Sequence, residues 1–289
     1  MTQTIIIGCG DVGTRLARQS LERGDRVMGV VRSASSLARL AAAGVPGCRH
    51  DLLDDAMEHG ILETANARLF HLAPPPEQGI EDPHTRHLVK LLERTGQPQR
   101  IVYLSTTGVY GDCQGAWIDE THPVQPLADR SRRRWDAEQT LRHWSQNTGG
   151  ELIVLRVAGI YGSGRLPLER IRQGVPLVRA DEAPFTNRIH VDDLVTICLA
   201  AMDRGLNGAV YNVSDGAPST MTDYFFAVAD AAGLPRPPCL PMAEASGQIS
   251  AGMLSYLAES RRLSNRKLRE ELGVALRYPS LADGLRGLF

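Results

Sequence analysis

A strand that runs straight into three glycines and out into a helix leaves a chain few choices, and this one begins that way. Residues 4–7 (TIII) are apolar and β-branched, short enough for a buried strand, and Leu16, Ala17 and Leu21 recur beyond them at helical spacing. Gly8, Gly10 and Gly13 lie between, in GCGDVG. Gly8 permits a tight turn, Gly10 lets the backbone approach a pyrophosphate, and Gly13 lets the helix pack closely on the strand. Asp11 and Val12 open that helix, whose unpaired N–H groups face the phosphates. Glycines also mark ordinary turns, but with this strand before and this helix after, Gly8, Gly10, Asp11, Val12 and Gly13 read as a dinucleotide cradle.

The second strand falls at 26–31 (RVMGVV). The acid that would hold the adenosine ribose of NAD belongs at its end, roughly 20 residues past the glycines. Val31, Arg32 and Ser33 stand there instead. An arginine beside serines can receive a 2′-phosphate, so Arg32 and Ser33 favour NADP(H), with NAD(H) as the lesser choice. The alternative is an Arg32 that opens a solvated loop. A helix is expected over 35–43 and a weak strand over 45–49. Asp51 and Leu52 come next, where an adenine amino group could be bound; a helix N-cap and a core position would suit them equally. The fourth strand, 68–72, stops at Ala73 and a run of prolines, 74–76, which cannot continue a ladder. The chain therefore leaves the sheet at Ala73 and Pro74, beside the cofactor.

A helix over 84–93 leads to the fifth strand, 100–104, and then to STTGVYGD. Ser105, Thr106 and Thr107 put hydroxyls at the carboxyl end of a parallel strand, where open α/β sheets bind ligands. The stretch 117–126 reads as loop, 129–144 as a long helix with arginines at 130 and 132–134, and 152–156 as the sixth strand, with VAGIYGSGR after it. Residues 188–190 lead into a helix over 192–202, and 209–213 is the last strand. The C-terminal residues beyond it have no strand–helix–strand rhythm: a helix over 221–232, a proline-rich connector over 234–241 and a charged helix over 261–273. The fold expected is α/β, a doubly wound parallel sheet with a small C-terminal cap. Residues 1–165 and 186–213 would bind the dinucleotide, 166–185 and 214–289 would form the substrate cap, and the ligand would lie between them.

Bulk properties narrow the partners. With 32 basic against 33 acidic residues, nothing advertises nucleic acid or an anionic membrane. The five cysteines lack disulfide-framework or zinc spacing, so no metal is expected. No apolar run approaches a membrane span, and the first strand begins almost at Met1, leaving no room for a signal peptide. A cytoplasmic, soluble protein with a small-molecule substrate is the expectation.

Taken in order, GCGDVG, Asp51-Leu52, STTGVYGD, WIDETHPVQP, RVAGIYGSGR, RIHVDD and SNRKLREELG resemble the extended short-chain dehydrogenase/reductase superfamily, in its NAD-dependent epimerase/dehydratase branch. The resemblance spans nearly the whole chain. It implies a Rossmann sheet of about seven strands, a bound nicotinamide dinucleotide and a C-terminal substrate subdomain, with nucleotide-linked sugars as the best-known substrates. It also implies a homodimer through the helices near 84–93 and 129–144, a pairing that the arginines on the second would forbid or make polar.

Two departures matter. The family's first motif has glycine at the place of Ile7, and its Tyr-x-x-x-Lys pair on the long helix is missing. Anchored on Glu138, Arg130 stands for the Tyr and Arg134 for the Lys. The only lysines, Lys90 and Lys267, are preceded four residues earlier by Arg86 and Leu263, so the pair is not displaced elsewhere. Arginine stays protonated and cannot pass on a proton, although Arg134 could keep the ribose-binding part of the Lys role. Thr106 matches the family's catalytic Ser/Thr, with Ser105 beside it. Tyr110 is the nearest replacement acid, ahead of Tyr161 and Cys113; Thr107, Tyr110, Tyr161 and Arg188 are expected to line the substrate site. The His190/Asp192 pair and the arginines 130–134 have structural readings of equal or greater weight. An atypical NADP-dependent reductase or epimerase-like enzyme is the first reading. A non-catalytic NADP(H) sensor or scaffold is the second.

Overall fold

A computed structural model of the chain describes residues 2–54, 62–245, 247–249 and 251–289. Seven strands, β1 (Gln3–Ile7), β2 (Arg26–Val31), β3 (Gly47–Arg49), β4 (Arg68–His71), β5 (Arg100–Thr106), β6 (Glu151–Val157) and β7 (Val210–Val213), form one sheet in the order β7-β6-β5-β4-β1-β2-β3. Neighbours from β3 to β5 run parallel. The chain winds outward from β1 to β3, then returns to start again at β4 on the other side of β1. That reversal leaves a crevice at the carboxyl ends of β1 and β4, the place where such sheets bind ligands.

Side-chain alternation along β1 serves two layers. Ile5 and Ile7 join Leu69, Ile101 and Tyr103 beneath two helices, α3 (Pro83–Thr95) and α4 (Asp129–Thr148), which contribute Leu88, Leu92, Ala137, Leu141 and Trp144 to the same core. Ile6 faces the other way, where α1 (Asp11–Glu22) crosses it at Gly13. A Cβ added at Gly13 would lie 3.2 Å from Ile6 Cγ2 and from Cys9 Sγ, tighter than ordinary contact, so helix and strand approach closely there. A further helix, α2 (Ala34–Ala42), is capped by Ser33, whose hydroxyl accepts the Ser36 amide at 3.2 Å.

By compactness the chain divides into two units, Met1–Val109 with Asp129–Arg156 and Val195–Tyr211, and Tyr110–Ala128 with Val157–Leu194 and Asn212–Phe289. Short strand pairs knit the second unit: Gly159–Tyr161 beside Arg188–His190, and Leu177–Val178 beside Cys239–Leu240. Trp117–Ile118 likewise runs beside Arg262–Leu263. This last pair corrects two sequence expectations. The stretch 117–126 is not all loop, and 261–273 is not one helix but a strand followed by a helix at Arg266–Leu272. Leu263 is fully buried and its amide donates to Asn187 Oδ1 at 2.9 Å, so backbone pairing there outweighs helical propensity. In the first unit α4 runs on to Thr148, past the expected end at Trp144, and β3 is shorter than the expected 45–49.

The second unit buries two opposite charges that do not pair directly. Arg188 donates to the Asn187 carbonyl at 2.9 Å and lies 4.2 Å over the Tyr224 ring. Asp215 accepts the Ala217 amide at 2.9 Å through Oδ1, while Oδ2 is buried without a partner. Burial pushes the Asp215 carboxyl up from 3.8 to about 7, against the pull of the Ala217 amide and Arg188. A carboxyl whose folded-state value is raised contributes stability fully below about pH 4, and that contribution is lost as pH climbs through about 7, by roughly 4 kcal/mol. Asp215→Asn retains the Oδ1 acceptor and removes the charge. Urea unfolding should show the variant more stable than the parent at about pH 8 and indistinguishable from it near pH 4; equal stability at both would show that Asp215 is not held protonated.

Candidate functional site

The glycine turn is built as the sequence predicts for a cradle. Gly8 has φ +79°, and a Cβ there would overlap the backbone of Ala73, so only glycine fits. Gly10 caps α1 without a side chain, and a Cβ added to it would meet nothing within 4 Å. No side chain caps the start of α1, and Gly8, Cys9 and Gly10 just before it border a cleft of about 780 Å³.

Of the residues expected to hold a cofactor, Gly8, Gly10, Arg32, Ser33, Asp51, Leu52, Ala73 and Pro74 line the cleft together. Asp11, Val12 and Gly13 lie outside its lining: Val12 and Gly13 are buried in the helix–sheet contact, and Asp11 pairs with Arg15 at 3.2 Å. Arg32 is exposed at the end of β2, beside the α2 cap. There Ser33 Oγ donates to Ser36 Oγ at 2.9 Å, and Arg39 donates to the same Ser36 oxygen at 2.8 Å. Asp51 closes a turn by accepting the Leu53 amide at 3.1 Å. Cys9, His50 and His84 also line the cleft and were not among the expected residues. Nothing in their local pattern marks them, because their approach depends on the ends of β1 and β3 and the start of α3 meeting at one edge. Burial pushes the Cys9 thiol up to about 12, so it stays protonated.

Beside the cleft, the ends of β4 and β5 are tied to α3 and α4. Arg134 donates to the carbonyls of Leu104 at 2.9 Å and Ala73 at 3.3 Å, and reaches the Tyr103 hydroxyl at 3.4 Å. Ser105 donates to Glu138 at 2.5 Å, and Arg156 grips the same fully buried carboxylate at 3.2 and 2.9 Å. Thr106 is half-buried, and its hydroxyl accepts the Gly108 amide at 3.2 Å; Thr107 is buried in the next turn. His71, at the end of β4, stacks on Tyr103 with centroids 5.1 Å apart, and burial with the nearby Arg134 pushes it down to about 3, so the ring is neutral. Its Nε2 meets Thr85 Oγ1 at 2.8 Å, while that hydroxyl donates to Asp82 at 2.7 Å. The imidazole is therefore the donor to Thr85.

In the second unit, Tyr110 is 1% exposed and donates its hydroxyl to Asn212 at 2.8 Å. Tyr161 is fully buried, donates to the Ser280 carbonyl at 3.3 Å, and is held above the ordinary phenol range by burial. Arg188 is buried with it, over the Tyr224 ring. Among the described residues no group of three or more His, Cys, Asp or Glu side chains could hold a metal, and no helix is long and apolar enough to cross a membrane.

The glycine turn that a Cβ would block and the helix start without a side-chain cap, at the edge of this cleft, fit a dinucleotide. Comparison with known proteins agrees. Residues 5–214 match the family model described as NAD dependent epimerase/dehydratase family. Protein YeeZ of Escherichia coli (strain K12) is 26% identical over 287 residues, covering 96% of this chain and 97% of that protein. A functionally unknown conserved protein from Silicibacter pomeroyi DSS has the same structure with TM-score 0.86 and 32% identity, covering 100% of this chain and 98% of that one. UDP-glucose 4-epimerase of Thermotoga maritima, solved with UDP-glucose, superposes with TM-score 0.80 at 21% identity over 99% of this chain and 96% of its own, a likeness of fold. With its glycine turn, its seven-stranded sheet and a match over residues 5–214, the chain belongs to the NAD-dependent epimerase/dehydratase family.

Proposed function

We propose that the chain is an oxidoreductase that prefers NADP(H) and acts on a polar or phosphorylated carbonyl compound, or one resembling a nucleotide-linked sugar, through an active site that lacks the Tyr-x-x-x-Lys pair. The observation that carries the cofactor preference is Arg32 with Ser33 on the wall of the glycine cleft, where NAD recognition would require an acid. A cation there would be left facing the bare ribose diol of NAD(H), whereas a 2′-phosphate gives it a charged partner, helped by the amides at the start of α2.

When bound, the nicotinamide supplies hydride transfer. The chain's part is to hold and orient. Gly8 and Gly10 receive the pyrophosphate, Asp51 and Leu52 frame the adenine, and Ala73 and Pro74 border the cofactor past the pyrophosphate. Arg134 stands as the fixed cation in the family's Lys place, already seated on the Leu104 and Ala73 carbonyls. Thr106 is the hydroxyl best placed to polarise a substrate carbonyl, since Ser105 is committed to Glu138. The same commitments support a second reading, a non-catalytic NADP(H) sensor: Ser105 and Tyr110 spend their protons on Glu138 and Asn212, and Arg130 and Arg134 hold theirs.

Titration of the purified protein with NADPH and NADH, followed by a panel of carbonyl compounds and nucleotide sugars with nicotinamide absorbance as the signal, separates the readings. NADPH should bind more tightly than NADH, and Arg32→Asp should weaken NADPH by about 10–100-fold, the worth of one charge-assisted phosphate contact, while sparing NADH. Oxidation of NADPH by a panel member supports the enzyme. Tight binding without turnover supports the sensor, and equal affinity for the two nucleotides sinks the assignment of Arg32. Gly8→Ala should abolish binding of both by forcing Ala73 out of place.

A further inference from the structure

His84 is the unexplained side chain of the cleft. It is 8% exposed, yet it lines the same cavity as Gly8, Gly10 and Arg32. Its backbone amide donates to Asp82 Oδ1 at 3.0 Å, which fixes the start of α3. Its Nδ1 lies 3.0 Å from the Pro74 carbonyl. A carbonyl only accepts, so Nδ1 carries a proton, and among the described residues Nε2 has no hydrogen-bond partner. The ring is thus oriented in one tautomer with its second nitrogen uncommitted, the arrangement a general acid or base requires.

Strand order says which half of the cofactor it would meet. Arg32 and Asp51 mark the adenosine half at β2 and β3, and the glycine turn marks the pyrophosphate at β1. The remaining half must run toward β4 and β5. Ala73 and Pro74 leave β4 there, pressed against Gly8 on one side. Two successive carbonyls of that loop are held by two basic side chains, Ala73 by Arg134 and Pro74 by His84. A permanent cation and an ionisable ring are thus seated on neighbouring carbonyls of one loop.

From this juxtaposition we infer that His84 is the proton donor of this active site, with Arg134 as the cation beside it, in place of the missing Tyr-x-x-x-Lys pair. Bound nicotinamide would supply the hydride for the substrate carbonyl carbon, C=O becoming CH–OH as the nicotinamide is oxidised. His84 enters this step as the imidazolium: Nε2 gives its proton to the carbonyl oxygen, Nδ1 keeps the proton held by the Pro74 carbonyl, and the neutral ring regains a proton from solvent. The charged and titratable neighbours are Asp82 and His71 at the base of the loop, Glu77 along it, and Arg134.

The inference rests on the reading of the cleft as an NADP(H) site, and the test keeps the two apart. In protein labelled with ¹⁵N-histidine, saturation with NADP⁺ should shift the His84 Nε2 resonance, whereas the adenosine bisphosphate bearing the 2′-phosphate, which lacks the nicotinamide half, should bind and leave it unmoved. His84→Gln should bind NADPH as the parent does and lose about 10²–10⁴-fold in turnover with whichever panel carbonyl the parent reduces. Failure of either nucleotide to bind overturns the cleft reading itself. Binding with a silent His84 resonance, equal shifts from both nucleotides, or unchanged turnover in His84→Gln overturns the proton-donor role alone. Loss of NADPH affinity in His84→Gln would make the residue part of the binding wall and overturn it as well. Absence of turnover in the parent across the panel removes the reductase and the donor together.

Discussion

The left-handed turn at Gly8 is the constraint on which the cleft depends. Ile7 is paired on both sides, with Val30 and with His71, so three strands end at one level. Gly8 and Cys9 both donate to the Val30 carbonyl at 3.0 Å, and Leu72 donates to Ile7 at 2.8 Å. The turn must reverse in the space that these bonds leave, directly against Ala73. A side chain at Gly8 would displace the exit of β4, and with it the Ala73 and Pro74 carbonyls that Arg134 and His84 hold. One glycine conformation therefore governs both walls of the cleft.

A second constraint is electrostatic. Glu138 is fully buried and shared by Ser105 and Arg156. Arg156 supplies the buried counter-charge, with Arg142 at 3.6 Å as a second, more exposed cation. This anchor locks α4 against β5 and β6 in one rotational setting, and Arg134, one turn earlier on α4, thereby reaches the strand-end carbonyls. One guanidinium nitrogen of Arg134 reaches the Leu104 carbonyl and the Tyr103 hydroxyl on β5 and the Ala73 carbonyl just past β4, so the side chain ties two strand ends together, but an arginine surrenders the proton traffic that a Tyr–Lys pair supports.

Much of the fold was legible because its signals are local. The apolar runs at 4–7 and 26–31 became buried strands, the helix expected over 84–93 is α3, and the prolines after Ala73 follow the end of β4. The expectation failed where a segment's partner was distant. Residues 261–273 look helical by composition, yet Arg262 and Leu263 are drawn into a strand by Trp117 and Ile118, some 145 positions away in sequence. Nothing local reports such a pairing.

The same division runs through the site. By itself the sequence determined the three glycines between a strand and a helix and an arginine, rather than an acid, at the end of the second strand, because each is a residue type at a fixed distance from a strand end; that no lysine has a tyrosine four residues before it is legible as well. Tertiary structure alone decided that Ser105 is spent on Glu138, that Tyr110 is spent on Asn212, and that His84 is turned into the cleft by the Pro74 carbonyl. The physical reason is that a side chain's free valence depends on which donors and acceptors surround it, and those come from strands and helices that only the folded sheet brings together.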